Sequence, residues 1–232
     1  MDQNQKRKLM RLGKLTLEDM RKKRQAQLER DEARSANIQA LTNERADDVP
    51  KHLGGHGYTC HLDKAVFAYL VERFGVGSVI DIGCGTGGMV EYAASQGVKA
   101  VGIDGDFSIV RPAGLTYVIH DFTTGPVDVG LSDLAWCVEF LEHVHERYLD
   151  NYFAVFKKCR AIFCTASRSL VGHHHVNVKG ATYWDEVFGG RGFVKDVEAS
   201  LYVRDHSGMT KDFVRETGTV WVNTSRVRNM EI

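Results

Sequence analysis

The sequence predicts an α/β fold, a mostly parallel, doubly wound sheet with helices on both faces. Three observations carry this reading. Between residues 61 and 166, short apolar runs of strand character alternate with amphipathic helical segments, the pattern of βαβ units. A cluster of glycines, Gly83, Gly85, Gly87 and Gly88, joins the first strand directly to a helix. Over 232 residues, 43% are apolar and 26% charged, enough for an ordinary packed core in one domain with an appendage.

Residues 5–46 hold no Pro and a single Gly among many good helix formers, so a long solvated helix is expected there. Thr16 and Asp19 form an N-terminal capping pattern that predicts a helix from near Leu17 through Arg34, with breaks near Gly13 and Ser35. Apolar positions in this arm are too sparse for a core-facing stripe. Val49-Pro50 and the HLGGHGY that follows close the arm (residues 1–50) and open the domain (residues 51–232). In the domain, Leu62, Ala65, Val66, Tyr69, Leu70 and Phe74 recur at helical spacing up to Gly75. SVIDIG is the first strand, and a helix from Met89 to Gln96 follows the glycine turn. VKAVGID, LTYVIHD and DLAWCVE are strands two to four; a helix over 146–158 precedes CRAIFCTA, the fifth. Beyond the HHHVNV loop, ATYWDEVFGGRGF reads as helix and turn, with ASLYVRD and GTVWVNTS as two last extended segments.

The longest strictly apolar stretch is the seven residues Ala65–Val71, well short of the roughly 18–20 that cross a bilayer. The opening MDQNQKRKLM lacks the apolar core of a secretory signal. None of the five cysteines is spaced as CxxC, and Cys84, Cys137 and Cys164 fall in strand-like or glycine-rich runs that suit a reduced thiol. A soluble, reduced, cytoplasmic protein is therefore expected. Net charge is zero but uneven: residues 1–30 carry ten Lys/Arg against four Asp/Glu, residues 51–232 carry 18 against 21. Arg21-Lys22-Lys23-Arg24 reads either as a phosphate-binding surface for nucleic acid or as the solvated face of a frayed helix or oligomerisation arm.

The strongest signal is VIDIGCGTGGMVEYAASQGVKAVGIDGD, residues 79–106. Glycines suit this turn because a Cβ would block positive φ and the close approach of a ligand to the backbone. Gly83, Gly85 and Gly88 also satisfy G-x-G-x-x-G, so an NAD-dependent oxidoreductase has to be weighed. Asp81 argues against it: a carboxylate two residues before the first glycine would face a pyrophosphate, and it suits a cationic amine better. Asp104 ends the next strand, where it can accept both hydroxyls of a ribose.

With these residues the chain resembles the class I S-adenosylmethionine-dependent methyltransferases over roughly residues 56–196, most specifically at Asp81-Ile82-Gly83-Cys84-Gly85-Thr86-Gly87. The resemblance implies a Rossmann-like, seven-stranded, mostly parallel sheet of order 3-2-1-4-5-7-6. It implies that Asp81 with Gly83, Cys84, Gly85 and Gly87 holds the methionine part of the cofactor, and that Asp104 and Gly105 hold the ribose. Asp121 would receive the adenine amino group, Phe122 would lie beside that ring, and Glu139 would close the methyl end.

LAWCVEFLEHVHE, residues 134–146, resembles the fourth-strand motif of the small-molecule branch, including ubiquinone-type O-methyltransferases. If the strand ends near Val138, Glu139, Glu142 and His143 sit at its carboxyl end on one face of a first helical turn, a spacing that suits a divalent metal. A similar Glu-x-x-Glu-His run joined to a later His occurs in the terminal 2′-O-methyltransferases of small RNAs, which bind a divalent ion there. His173-His174-His175 follows strand five on the same edge, although that family's longer intervening segment is absent. The resemblance thus offers Mg²⁺ or Mn²⁺ on Glu139, Glu142, His143 and His175. Alternatively His143, His174 or His175 is a general base, with Glu139 supporting it, or these groups are structural. Tyr183 and Trp184 read as sheet packing or as acceptor-pocket walls, and His52, His56 and Tyr58 as part of a pliant lid.

The resulting expectation is a methyltransferase acting on an oxygen of a small molecule or a nucleic-acid ribose, with the acceptor's identity open. The competing readings are a non-catalytic binding or scaffold protein that uses the basic arm, and the NAD-dependent oxidoreductase.

Overall fold

The computed structural model describes residues 17–41 and 48–227. One long helix, α1 (Leu17–Leu41), comes first; it runs through Ser35 without the expected break, and Gly13 lies outside the described residues. Helix α2 (Lys64–Phe74) is capped by the Asp63 carboxylate, which accepts from Val66 N, and ends at Gly75 in the left-handed conformation. Then follow β1 (Ser78–Ile82), α3 (Gly88–Ser95), β2 (Lys99–Asp104), β3 (Thr116–Ile119) and β4 (Ser132–Cys137). The chain continues with α4 (Leu149–Phe156), β5 (Cys159–Cys164), α5 (Ala181–Gly189) and β6 (Phe193–Lys195). It ends with α6 (Val197–Asp205), α7 (Phe213–Thr217), β7 (Thr219–Asn223) and α8 (Thr224–Val227).

The seven strands lie in the order β3-β2-β1-β4-β5-β7-β6, as the resemblance implied. β1 to β5 are parallel, and β7 runs antiparallel between β5 and β6. β1, with β2 and β4 on its two sides, is central, so its carboxyl end opens at the switch point of the sheet, where ligands bind in such folds.

Two readings need correction. ASLYVRD is not a strand: it is most of α6, whose Ala199 and Val203 point into the core at helical spacing. The sixth strand is instead Phe193–Lys195, three residues that begin at the last residue of the stretch read as helix and turn, too short to show alternation. The helix expected over 146–158 starts as a 3₁₀ turn, Glu146–Tyr148, before α4.

Side chains alternate across the sheet. Ile80, Ile82, Ala135, Cys137, Ile162 and Cys164 pack on one face against Tyr152, Phe153 and Phe156 of α4 and Phe188 of α5. Val79, Leu134, Trp136, Ala161 and Phe163 pack on the other against Val66, Phe67 and Leu70 of α2, Met89 and Ala93 of α3, and Ala199 and Val203 of α6. Each of these fully buried large side chains is worth roughly 1.5–3 kcal/mol of transfer free energy. Trp136 and Trp184 are buried core residues. No helix covers the connection 105–115 between β2 and β3, nor 120–131 between β3 and β4. Helix α1 touches the domain at two points: Arg34 pairs with Glu91 of α3 at 2.6 Å, and Arg24 donates to the Thr210 carbonyl at 3.1 Å.

Candidate active site

The glycine turn is built as its composition predicts. Gly83, Gly85 and Gly87 have φ of +74°, +47° and +76°, a region costly for any residue with a Cβ. At Gly83 the space is closed too: a Cβ would sit 2.7 Å from Cδ2 of Phe140. Gly83 N and Cys84 N both donate to the Ile103 carbonyl, tying the turn to β2. Above it opens a cavity of about 480 Å³ whose walls include Asp81, Gly83, Cys84, Gly85, Asp104, Gly105, Asp121, Phe122 and Glu139. The structure brings all of these sequence-predicted residues together.

Asp81 is buried at the carboxyl end of β1, and among the described residues no group donates a hydrogen bond to its carboxylate. Burial, and then the Asp104 carboxylate, push Asp81 up to about 8. An unpartnered buried carboxylate beside a glycine cradle fits a ligand that carries an amine. Asp104 differs: its Oδ2 accepts from Gly85 N at 2.7 Å, its Oδ1 from Asp106 N at 2.8 Å, with Arg111 Nη2 at 3.3 Å. It is already engaged with the protein, which the sequence reading did not anticipate. Burial pushes the Cys84 thiol well above its ordinary value, which keeps it neutral.

Residues 51–58 form a strap over this corner. His52 Nε2 lies 2.7 Å from Asp121 Oδ2, and His56 Nε2 lies 3.0 Å from Asp106 Oδ2. Burial raises Asp121, but the Thr123 amide and His52 outweigh it and hold the carboxyl below its usual range. Leu53 packs where Gly105 lacks a Cβ, and the Leu53 carbonyl lies 2.9 Å from His173 Nε2. Gly54, Gly55 and Gly57, all at positive φ, let the strap turn this sharply.

The acceptor-side corner follows β4. Glu139, Glu142 and His143 do not share a helical face as expected. Glu139 is left-handed, φ +54°, and only Leu141–His143 make a 3₁₀ turn. Thr165, at the end of β5, locks this conformation: its Oγ1 accepts from Glu139 N at 2.8 Å and donates to Glu139 Oε1 at 2.9 Å. Glu142 is fully buried with neither carboxylate oxygen hydrogen-bonded. Burial, then the charge of Glu139, push it up to about 8. Glu142, His143 and His175 each bring one donor atom within 4.8 Å of the others; Glu139 is not in that group. His143 Nδ1 meets the His173 carbonyl and His175 Nδ1 the Ser169 carbonyl, both at 2.7 Å. A carbonyl can only accept, so each ring carries its proton on Nδ1 and keeps the lone pair on Nε2. Burial, and then the neighbouring His175, hold His143 down at about 4. His174, at φ +48°, turns away toward His52, with ring centroids 6.0 Å apart.

Sequence reasoning singled out His52 and His56 as part of a lid but missed Arg111, Thr165 and Asp106, the carboxylate that anchors His56. Neither Arg111 nor Thr165 belongs to a motif; Thr165 was visible only as the end of a strand.

Residues 20–196 match the model of a methyltransferase domain family. Among solved structures, the magnesium protoporphyrin IX methyltransferase ChlM of Synechocystis with bound SAH is similar at 17% identity and TM-score 0.50, covering 68% of this chain and 80% of that one. The 1,6-didemethyltoxoflavin-N1-methyltransferase of Burkholderia thailandensis aligns at 16% identity and TM-score 0.49, covering 69% and 77%. The plantazolicin methyltransferase BpumL aligns at 12% identity and TM-score 0.49, covering 68% and 82%. No curated protein matches the chain. The chain belongs to the methyltransferase domain family, in its S-adenosylmethionine-dependent class.

Proposed function

We propose that this methyltransferase acts on a hydroxyl oxygen, with S-adenosylmethionine over the glycine turn and the acceptor at the corner of Glu139, Glu142, His143 and His175. The observation that carries this reading is the convergence of the Glu142, His143 and His175 donors at the end of β4. The cofactor supplies a methyl group already activated on a sulfonium, so the work left to the protein is positioning. Asp81 would accept from the cofactor's amine, Asp104 from its ribose, and Asp121, once His52 yields, from the adenine amino group. Phe122 would line the ring.

The acceptor corner fits a divalent cation such as Mg²⁺ or Mn²⁺. Glu142 offers two buried oxygens without partners, and the Nδ1 contacts of His143 and His175 select the tautomer a metal ligand needs. Glu139 stands beside them, its Oε1 already held by Thr165. A cation bound there would lower the pKa of a coordinated hydroxyl. One observation favours a second reading: the His173 carbonyl holds the proton of His143 on Nδ1, which leaves its Nε2 free to take the hydroxyl's proton directly. If the acceptor is a nucleic-acid ribose, the basic residues 1–30 would meet its phosphates, and binding would weaken steeply with salt.

Titration with Mn²⁺ in the presence of S-adenosylhomocysteine separates these readings. Glu142→Gln is expected to weaken Mn²⁺ binding by at least about tenfold while S-adenosylhomocysteine binding persists. A wild-type protein that binds no Mn²⁺, and whose methyl transfer to polyol or nucleoside acceptors resists EDTA, leaves His143 as the base. Cofactor binding with no transfer to any hydroxyl acceptor would overturn the reading as a whole.

A further inference from the structure

We propose that Arg111 is a cofactor-positioning residue, which grips the glycine turn and the ribose-binding carboxylate from behind. The connection from β2 to β3 has only eleven residues, 105–115, and no helix, whereas parallel strands are usually joined by a dozen or more with a helix among them. In place of a helix, Arg111 folds back beneath the turn. Its Nε donates to the Gly85 carbonyl and its Nη2 to the Asp106 carbonyl, each at 2.8 Å, and Nη2 lies 3.3 Å from Asp104 Oδ1. The side chain is 5% exposed and forms no part of the cavity wall. Gly85 N donates to Asp104 Oδ2 at 2.7 Å, so Asp104, Gly85 and Arg111 close a ring around one residue held at φ +47°.

The Asp106 carboxylate does not compete for the guanidinium: His56 and the Ser108 amide and hydroxyl occupy it. The cation therefore stands against Asp104 from behind the wall of a cavity lined by Asp81, Asp104, Asp121 and Glu139. A lysine would keep the charge but not the fork that reaches two carbonyls and a carboxylate together. The inference rests on the reading that Gly85 and Asp104 hold the cofactor.

Calorimetry with S-adenosylhomocysteine and S-adenosylmethionine on wild type, Arg111→Met and Arg111→Lys tests it, with melting temperatures recorded alongside. Arg111→Met is expected to weaken S-adenosylhomocysteine by roughly tenfold or more. The sulfonium cofactor should lose less, because removing the guanidinium leaves the cavity more negative. Arg111→Lys should restore the wild-type ratio between the two ligands while both stay weaker. A purely structural role would lower the melting temperature without moving that ratio. Affinities within about twofold of wild type in both folded variants overturn the proposal; if Arg111→Met does not fold, Arg111→Lys decides by the same criterion. A wild type that binds neither ligand overturns the cofactor reading first, and the role of Arg111 with it.

Discussion

The two corners of the cavity are built differently. The cofactor corner is made by short segments at the ends of adjacent parallel strands, and its backbone is pinned: Gly83 and Cys84 to β2, Gly85 between Asp104 and Arg111. The acceptor corner comes from two loops far apart in sequence, after β4 and after β5. It holds two left-handed non-glycine residues, Glu139 and His174, and Glu142, a buried carboxylate without partners as Asp81 is in the other corner. Its loop tip presents Leu170 and Val171 at 81% and 87% exposure. A pinned corner suits a ligand that every turnover shares. A corner with two strained residues on two distant loops is completed by what it binds.

The largest expected effect breaks the pinned corner. Gly83→Ala imposes a left-handed alanine and a Cβ against Phe140, a cost of about 3 kcal/mol, and should abolish S-adenosylhomocysteine binding while lowering the melting temperature. Next, Asp81→Asn should weaken S-adenosylmethionine by about 1–3 kcal/mol in calorimetry. Its effect on the unliganded fold has the opposite sign. Asp81 rises from 3.8 to about 8 on folding, so the wild type loses stability as pH climbs from 3.8 through about 8. The variant should lack that loss and melt higher than wild type at pH 8. Equal melting curves there would show that the buried carboxylate already has a partner.

A smaller effect tests the strap that joins the corners. Against the burial that raises it, His56 and Ser108 bring Asp106 from 3.8 down to about 2. The stability this carboxylate contributes is present above pH 3.8 and is lost as pH falls through about 2. His56→Ala should remove about 1 kcal/mol of it at pH 6 and flatten the acid limb of a denaturation series. The smallest effect is expected of the arm. Deleting residues 1–47 removes the part-exposed Arg34–Glu91 pair and the Arg24 contact, together worth about 1 kcal/mol or less in urea denaturation. A collapsed domain would show that α1 is part of the core.

The cofactor corner was legible because its constraints are local: a turn that needs positive φ forces glycines, and strand ends place Asp81, Asp104 and Asp121 at fixed steps. The acceptor corner was legible only as residue types. Glu142, His143 and His175 do converge, but the helical face assumed for Glu139 does not exist, because Thr165, 26 residues away, holds it left-handed. Arg111 reaches Gly85 across 26 residues as well, and the strap, legible as a glycine-rich lid, finds its carboxylate partners 50 and 69 residues away, which spacing along the chain does not record. The exchange of ASLYVRD for FVK as sixth strand has a local cause: three residues are too few to show a period, while tertiary packing made the longer segment a helix.

The sheet's two borders have a consequence for the protein in concentrated solution. β3 at one margin has four residues and β6 at the other has three. Neither offers a run of unpaired amides and carbonyls long enough to template a strand from another molecule, whereas the longer strands β1, β4 and β5 are flanked on both sides. Both ends of the sheet are thereby poor seeds for intermolecular β-association, even though Ile119 and Val194 leave apolar side chains in solvent there.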